Sequence, residues 1–171
     1  LDEDSFGYVQ HTRDGQFANV VLGTVGYREI QTLVSSNQLQ PLLPPGTIMA
    51  ASVEPVAHPV HGGLFFLAVP GVRSENPAPT YVFAVLRDDR GPVLLFSADD
   101  VVPGTLSVSP SGRWLSAQTG QGLLLYDVVR ETTHLVPDFM PAGRAAWSPD
   151  GSWLFAPVSY THLRAHETKA N

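Results

Sequence analysis

Two short stretches with nearly the same pattern decide the fold: Val108-Ser-Pro-Ser-Gly-Arg-Trp-Leu115 and Trp147-Ser-Pro-Asp-Gly-Ser-Trp-Leu154. In each stretch the proline presets φ for the first central position of a turn, and the glycine closes the turn. Short apolar runs flank both turns, so each stretch predicts a β-hairpin. Gly112 and Gly151 are about 40 residues apart, which is the length of a repeat of four β-strands.

The rest of the chain predicts the other strands of this repeat. Residues 122–136 form two β-rich runs around a polar turn, which gives four strands in that period. Weaker copies of the turn occur earlier in the chain, and the longer spacings between them are assigned to loops such as residues 70–79. We therefore expect chain reversals at residues 13–16, 58–63, 110–113 and 149–152, and further strands at residues 27–34, 39–43, 76–87 and 92–97.

Residues 1–157 are expected to be all-β. The 15 glycines and 15 prolines leave little room for long helices and suit many short strands joined by turns. Four antiparallel strands are the unit of a β-propeller blade. We therefore expect a partial β-propeller of about three four-stranded antiparallel blades plus the start of a fourth, with approximate repeats at residues 5–53, 54–108, 109–147 and 148–157.

The residues that define the repeat are interpreted as structural, because they form its turns or pack between its sheets. They are Ser109, Pro110, Gly112, Trp114, Tyr126, Asp127, Trp147, Ser148, Pro149, Asp150, Gly151 and Trp153. The three tryptophans recur at the repeat period, so we expect them to be core residues rather than platforms for a ligand.

At Trp147–Leu154, at Leu125–Val128 and at Leu135 the chain resembles the TolB-type, WD40-like propeller repeat. That repeat has an aromatic-Ser-Pro-Asp-Gly turn, a Leu-Tyr-Asp-Val-like strand and a final leucine. The resemblance covers residues 50–157 well and residues 5–49 by analogy only. Three departures occur: Ser111 replaces the aspartate, the turn at residues 58–62 has one extra residue, and Asp14-Gly15 lacks the preceding Ser-Pro.

The resemblance implies a non-catalytic module of a larger bacterial protein that presents loops to a protein or peptide partner. It also slightly favours a periplasmic or extracellular location. The alternative is the propeller that gates a prolyl oligopeptidase-type serine peptidase, whose catalytic domain would lie outside this chain. A propeller enzyme with its site in the central channel is a third possibility, and a fold does not decide among these functions.

Composition argues against several classes of partner. The formal net charge is −6 and the arginines are scattered singly, whereas a nucleic-acid groove needs clustered cations. No apolar run approaches the ~20 residues of a membrane helix, so we expect no membrane insertion. The absence of cysteine excludes disulfides, thiolate zinc sites and a cysteine nucleophile.

Candidate metal ligands are few. His58 and His61 flank a turn and have Glu54 nearby, but histidines in a loop more often face solvent. The pairs Asp88-Asp89 and Asp99-Asp100 lack the Asp-x-Asp-x-Asp-Gly spacing of a calcium loop and fall where turns are expected.

Catalytic signals are also missing from the sequence. His134 lies in a strand pattern and is interpreted as a cross-strand partner rather than a base. There is no Gly-x-Ser-x-Gly elbow and no glycine-rich phosphate loop. We therefore expect no catalytic residue, no cofactor and no metal.

The last residues do not follow the repeat. Residues 158–168 read Val-Ser-Tyr-Thr-His-Leu-Arg-Ala-His-Glu-Thr, which resembles one reading frame of a transposase-type sequencing adapter. Residues 158–171 are therefore expected to be a non-native, disordered tail. His162, His166 and Glu167 would suggest half of a helical metal site, but the adapter explains the same residues.

Overall fold

A computed structural model describes residues 5–24, 26, 30–50, 52–72, 79–87, 90–137, 139 and 143–156. These residues confirm the predicted all-β class, with one short α-helix and one short 3₁₀ helix among the strands. The expected tail at residues 158–171 lies outside them. The elements are β1 (Ser5–His11), β2 (Phe17–Thr24), β3 (Ile30–Ser35), α1 (Ser36–Leu39), the 3₁₀ helix (Gln40–Leu42), β4 (Ile48–Met49), β5 (Glu54–Ala57), β6 (Leu64–Val72), β7 (Thr80–Leu86), β8 (Pro92–Ala98), β9 (Ser107–Val108), β10 (Trp114–Thr119), β11 (Gly122–Asp127), β12 (Thr132–Pro137), β13 (Ala146–Trp147) and β14 (Leu154–Phe155).

The four predicted chain reversals are confirmed. Each lies between two antiparallel strands: β1 and β2, β5 and β6, β9 and β10, and β13 and β14. Below we call these reversals the first, second, third and fourth turns. The strands expected around residues 76–87, 92–97 and 122–136 correspond to β7, β8 and the β11–β12 pair.

The first sheet has the order β1-β2-β3 and differs from expectation at its end. The sequence favours a strand at residues 39–43, but this is wrong, because α1 and the 3₁₀ helix occupy most of that segment. The backbone N–H of Ser35 donates to Oε1 of Gln38 (2.9 Å), as in a capping box, and Pro41 has no N–H for a strand ladder. Buried Leu39 and Leu43 join the core there.

The second and third sheets share one plan. In each, successive strands are antiparallel neighbours: β5 to β8 in the second sheet and β9 to β12 in the third. The second sheet also pairs β4 with the end of β6. The hairpin β13–β14 follows the third sheet.

The central strands of the second sheet, β6 and β7, are buried on both faces. Along β6, Phe65 and Leu67 belong to the core that the second sheet shares with the first, and Phe66 and Ala68 to the core it shares with the third. This alternation follows from the period of two along a strand. The three sheets are therefore stacked in chain order, with a separate apolar core on each side of the second.

Candidate functional site

The third and fourth turns have the same hydrogen bonds because both are Ser-Pro-x-Gly sequences. In the third turn the N–H of Gly112 donates to the Ser109 carbonyl (2.8 Å), and the N–H of Trp114 donates to Ser109 Oγ (3.0 Å). The fourth turn repeats both bonds on Ser148, at 2.8 Å and 3.0 Å. The repeat-defining serines therefore hold the turns closed from inside.

Asp150 adds a further acceptor to the fourth turn. The hydroxyls of Ser148 (2.5 Å) and Ser152 (2.6 Å) donate to its carboxylate, as does the N–H of Ser152 (3.1 Å). These donors, Ser148 first, lower the pKa of Asp150 to about 2. In the third turn the hydroxyls of Ser109 and Ser111 lie 3.2 Å apart, so Ser111 replaces the aspartate without adding a charge.

The first turn uses a threonine that the sequence analysis did not identify. The N–H of Gly15 donates to the Thr12 carbonyl (3.0 Å), and the N–H of Gln16 donates to Thr12 Oγ1 (3.1 Å). Thr12 therefore occupies the place of Ser109. The signal in the sequence is a hydroxyl residue three positions before the glycine.

The second turn uses a histidine in the same role. The N–H groups of Val60 (3.1 Å) and His61 (3.0 Å) both donate to Nδ1 of His58. The backbone N–H of His58 donates to the Leu64 carbonyl (2.9 Å), as that of Ser109 does to Trp114. A ring nitrogen thus replaces the serine hydroxyl as the acceptor inside the turn.

The expectation that His58 faces solvent is wrong. Its side chain is only 7% exposed, and its ring centroid lies 5.8 Å from that of Phe66 and 4.8 Å from that of His61. A Cβ built on Gly112 would lie only 1.7 Å from Nε2 of His58, so this ring rests directly on the third turn. Burial, and secondly the neighbouring His61, lowers the pKa of His58.

The structure does not bring Glu54 together with the two histidines. Glu54 is the first residue of β5 and His58 follows its last residue. At ~3.3 Å per residue of strand, the backbones of Glu54 and His58 are therefore roughly 13 Å apart. One Glu54 oxygen, Oε2, accepts the N–H of Gly104 (3.0 Å) instead. Within the described part of the chain, no three or more acidic, histidine or cysteine side chains are grouped to hold a metal ion.

Asp127 closes the loop between β11 and β12. Arg113 Nη2 donates to Asp127 Oδ2 (2.8 Å), and the N–H groups of Val129 (3.0 Å) and Arg130 (3.2 Å) donate to Oδ1. The hydrogen bond from Arg113 is the main cause that lowers the pKa of this buried carboxyl to about 2. Tyr126 lies beside it in the core between the second and third sheets. Both residues have structural roles.

The remaining candidates have local partners. His134 pairs with Leu125 across β11 and β12, and its Nε2 lies 3.4 Å from Thr132 Oγ1. Asp99 and Asp100 form a turn, as expected, and the Asp100 carbonyl accepts the N–H of Gly120 (3.1 Å). The pair Asp88-Asp89 lies outside the described residues.

The three tryptophans are not equivalent. Trp114 and Trp147 are half-buried, whereas Trp153 is 69% exposed, so the prediction of a core position is wrong for Trp153. Phe155, two residues further along β14, is 63% exposed. The cause is that the hairpin β13–β14 is the last described element and no described sheet follows it.

A cleft of about 300 Å³ lies between the second sheet and the loop that leads into the third. Its walls are mainly apolar and come from Val53, Pro55, Ala68, Val101, Val102 and Pro103. The polar groups are the Glu54 carboxylate, fixed by Gly104, and the hydroxyls of Ser52 and Thr80. No lysine, arginine or histidine is among the described residues that line it.

A comparison with models of known protein families gives no match, and a comparison with curated proteins gives none either. Among the described residues, no helix has the length and apolar character needed to cross a membrane. The cleft and the four turns are therefore interpreted from their own chemistry.

Proposed function

We propose that this chain is a section of a β-propeller that binds a protein or peptide segment without catalysing a reaction. The propeller assignment is supported by the stacking of three sheets in chain order and by the shared plan of the second and third sheets. It is further supported by the four turns, each closed by a side chain at the same position.

The observation that carries the binding proposal is the cleft beside Glu54. Ligand sites in proteins are concave and mostly apolar, with a few fixed polar groups that orient the ligand. The described lining of the cleft has this composition, and the Glu54 carboxylate is held in place by the Gly104 N–H. Asp99 and Asp100 lie on the same loop as Val101 and Val102, so the surroundings of the cleft are acidic.

This chemistry favours an extended segment with an aliphatic side chain next to a lysine or arginine. The aliphatic side chain would fill the apolar cleft, and the cation would pair with Glu54. The described residues that line the cleft include no imidazole and no second carboxylate for proton transfer, which favours binding over a reaction.

The test is a binding titration of the full chain with three fluorescein-labelled hexapeptides. The first has Leu-Val between two lysines, the second has Leu-Val between two glutamates, and the third has Ser-Ser between two lysines. We expect anisotropy to report binding of the first peptide only, weakened by salt because the pair with Glu54 is exposed. Equal binding of the three peptides, or binding of none, would contradict the proposal.

Variants locate the site. Val102→Asp places a charge in the apolar wall and should abolish binding of the first peptide. Glu54→Gln keeps an acceptor for the Gly104 N–H and removes the charge. The loss of an exposed ion pair costs ~1 kcal/mol of binding free energy, so the peptide should bind about fivefold more weakly. Val129→Asp is the matched control, because Val129 is 74% exposed in the loop after β11 and does not line the cleft. A loss of binding in this control would exclude the cleft as the site.

A further inference from the structure

Acidification is expected to act on one residue between the second and third sheets, His58. Nδ1 of His58 accepts two backbone N–H groups, from Val60 (3.1 Å) and His61 (3.0 Å). A ring nitrogen that accepts hydrogen bonds carries no proton, so the neutral ring has its proton on Nε2. The second turn therefore requires an unprotonated Nδ1.

We propose that His58 is an acid-sensitive latch that holds the second turn against the third turn and opens when its ring is protonated. A proton on Nδ1 would point at the two N–H donors, and both hydrogen bonds would be lost. Serine and threonine hold the other three turns, and their hydroxyls do not titrate in this range. The Asp150 carboxylate of the fourth turn has a pKa lowered to about 2, so near pH 5 the acid response is expected at the second turn.

The ring cannot reorient where it lies. It is nearly buried against Phe66, and the position that a Cβ would take on Gly112 is only 1.7 Å from Nε2. A protonated ring must leave this contact to gain solvent and to separate from the two N–H groups. The second turn therefore opens only when its contact with the third turn is lost.

The charged groups around His58 do not stabilise its protonated ring. His61 lies on the same turn, and its charge opposes protonation of His58. Arg87, whose backbone N–H donates to the Gly63 carbonyl (2.6 Å), and Arg90 lie beside this turn, around a hollow that His61 also lines. Arg113 on the third turn is paired with Asp127. No carboxylate among the described residues shifts the pKa of His58.

The sign of the pH dependence follows from the direction of that shift. The pKa of His58 is lowered in the folded chain, so the unfolded chain binds the proton more readily. The stabilising contribution is present above about pH 6.5 and is lost as the pH falls from there toward the lowered value. Over that window the opening equilibrium constant of the second turn should increase by up to about tenfold per pH unit.

Amide hydrogen exchange of the full chain, followed by mass spectrometry at about pH 7.5 and about pH 5, tests this latch. After correction for intrinsic exchange rates, protection of residues 59–66 should fall at the lower pH, by up to about tenfold for each pH unit below 6.5. Protection of residues 110–117, which contain the serine-held third turn, should change much less. An equal loss of protection in both segments would overturn the proposal.

Two variants separate the latch from general acid sensitivity. His58→Asn places an amide oxygen near the position of Nδ1, so its second turn should keep the same protection at both pH values. His61→Asn keeps the backbone N–H that donates to Nδ1 and removes the neighbouring charge, so it should retain the acid response in reduced size, because burial still lowers the pKa of His58. An acid response in His58→Asn as large as in the parent chain would refute the proposal. Should either variant fail to fold, exchange of the imidazole C2 proton in the parent chain decides, because a His58 pKa at or above about 6.5 is incompatible with the latch.

Discussion

Replacing Gly112 by alanine should destabilise the chain well beyond the ordinary cost of losing a turn glycine. Gly112 has φ of 74°, and a side chain in this left-handed region costs roughly 1–2 kcal/mol. The new Cβ would also lie 1.7 Å from Nε2 and 2.0 Å from Cε1 of His58. A normal contact needs at least 3.4 Å, so the ring would have to move by nearly 2 Å.

The buried ring has little room for such a movement, and overpacking of this kind costs about 1–3 kcal/mol. The expected total for Gly112→Ala is therefore about 2–5 kcal/mol. This is a large part of the ~5–15 kcal/mol by which a domain is usually stable. Urea unfolding followed by tryptophan fluorescence measures the difference.

Gly15→Ala is the matched control. Gly15 closes the first turn with φ of 81°, and nothing lies within 4 Å of a Cβ built there. This variant should lose only the roughly 1–2 kcal/mol of the left-handed conformation. The double variant Gly112→Ala with His58→Ser should recover part of the loss, because serine fills this position in the third and fourth turns. If Gly112→Ala costs no more than Gly15→Ala, the contact between the second and third turns is not as described.

Three further predictions follow from the turns and from the last hairpin. Ser109→Ala leaves the Trp114 N–H without its acceptor inside the third turn and should cost about 1–3 kcal/mol in urea unfolding, whereas Ser111→Ala, at an exposed position, should cost much less. Asp127→Asn should lower the urea midpoint at pH 7. Since the Asp127 pKa is lowered to about 2, the parent chain should lose this stabilisation as the pH falls from about 4 toward 2, and the variant should lack that part of the pH dependence. Residues 1–157 alone should self-associate in sedimentation velocity, because Trp153 and Phe155 are 69% and 63% exposed, and a monomer with one cooperative unfolding transition would contradict this.

The hairpin positions could be predicted from the sequence because proline and glycine restrict the backbone locally. Ser-Pro-x-Gly at the third and fourth turns encodes both φ values and the internal acceptor within four residues. Thr12 and His58 were missed because they supply the same acceptor from different chemical groups. What Thr12 and His58 share with Ser109 is a side-chain acceptor for backbone N–H groups of their own turn, although the donors stand at different positions along the turn. A comparison of residue types does not show this shared function.

The end of the first sheet and the cleft could not be predicted for two different reasons. At residues 39–43 the three leucines favour a strand, but the Ser35–Gln38 capping interaction and Pro41 favour helical turns. The cleft joins Val53 and Glu54 to Val102 and Gly104, which are about 50 residues away. No periodicity marks such a site, because the stacking of the sheets brings its walls together.

The turn glycines have a second role, and it depends on the stacking of the sheets. A Cβ on Gly112 would strike His58 of the preceding turn, and a Cβ on Gly151 would lie 3.5 Å from Cδ of Pro110, again in the preceding turn. The same neighbour relation therefore joins the second turn to the third and the third to the fourth. Gly15 has no described turn before it and no atom within 4 Å of its Cβ position. Glycine at Gly15 is required only by the backbone conformation, whereas at Gly112 it is also required by the close approach of the preceding sheet. The size of the side chain that the preceding turn presents, histidine at His58 and proline at Pro110, sets how strict that requirement is.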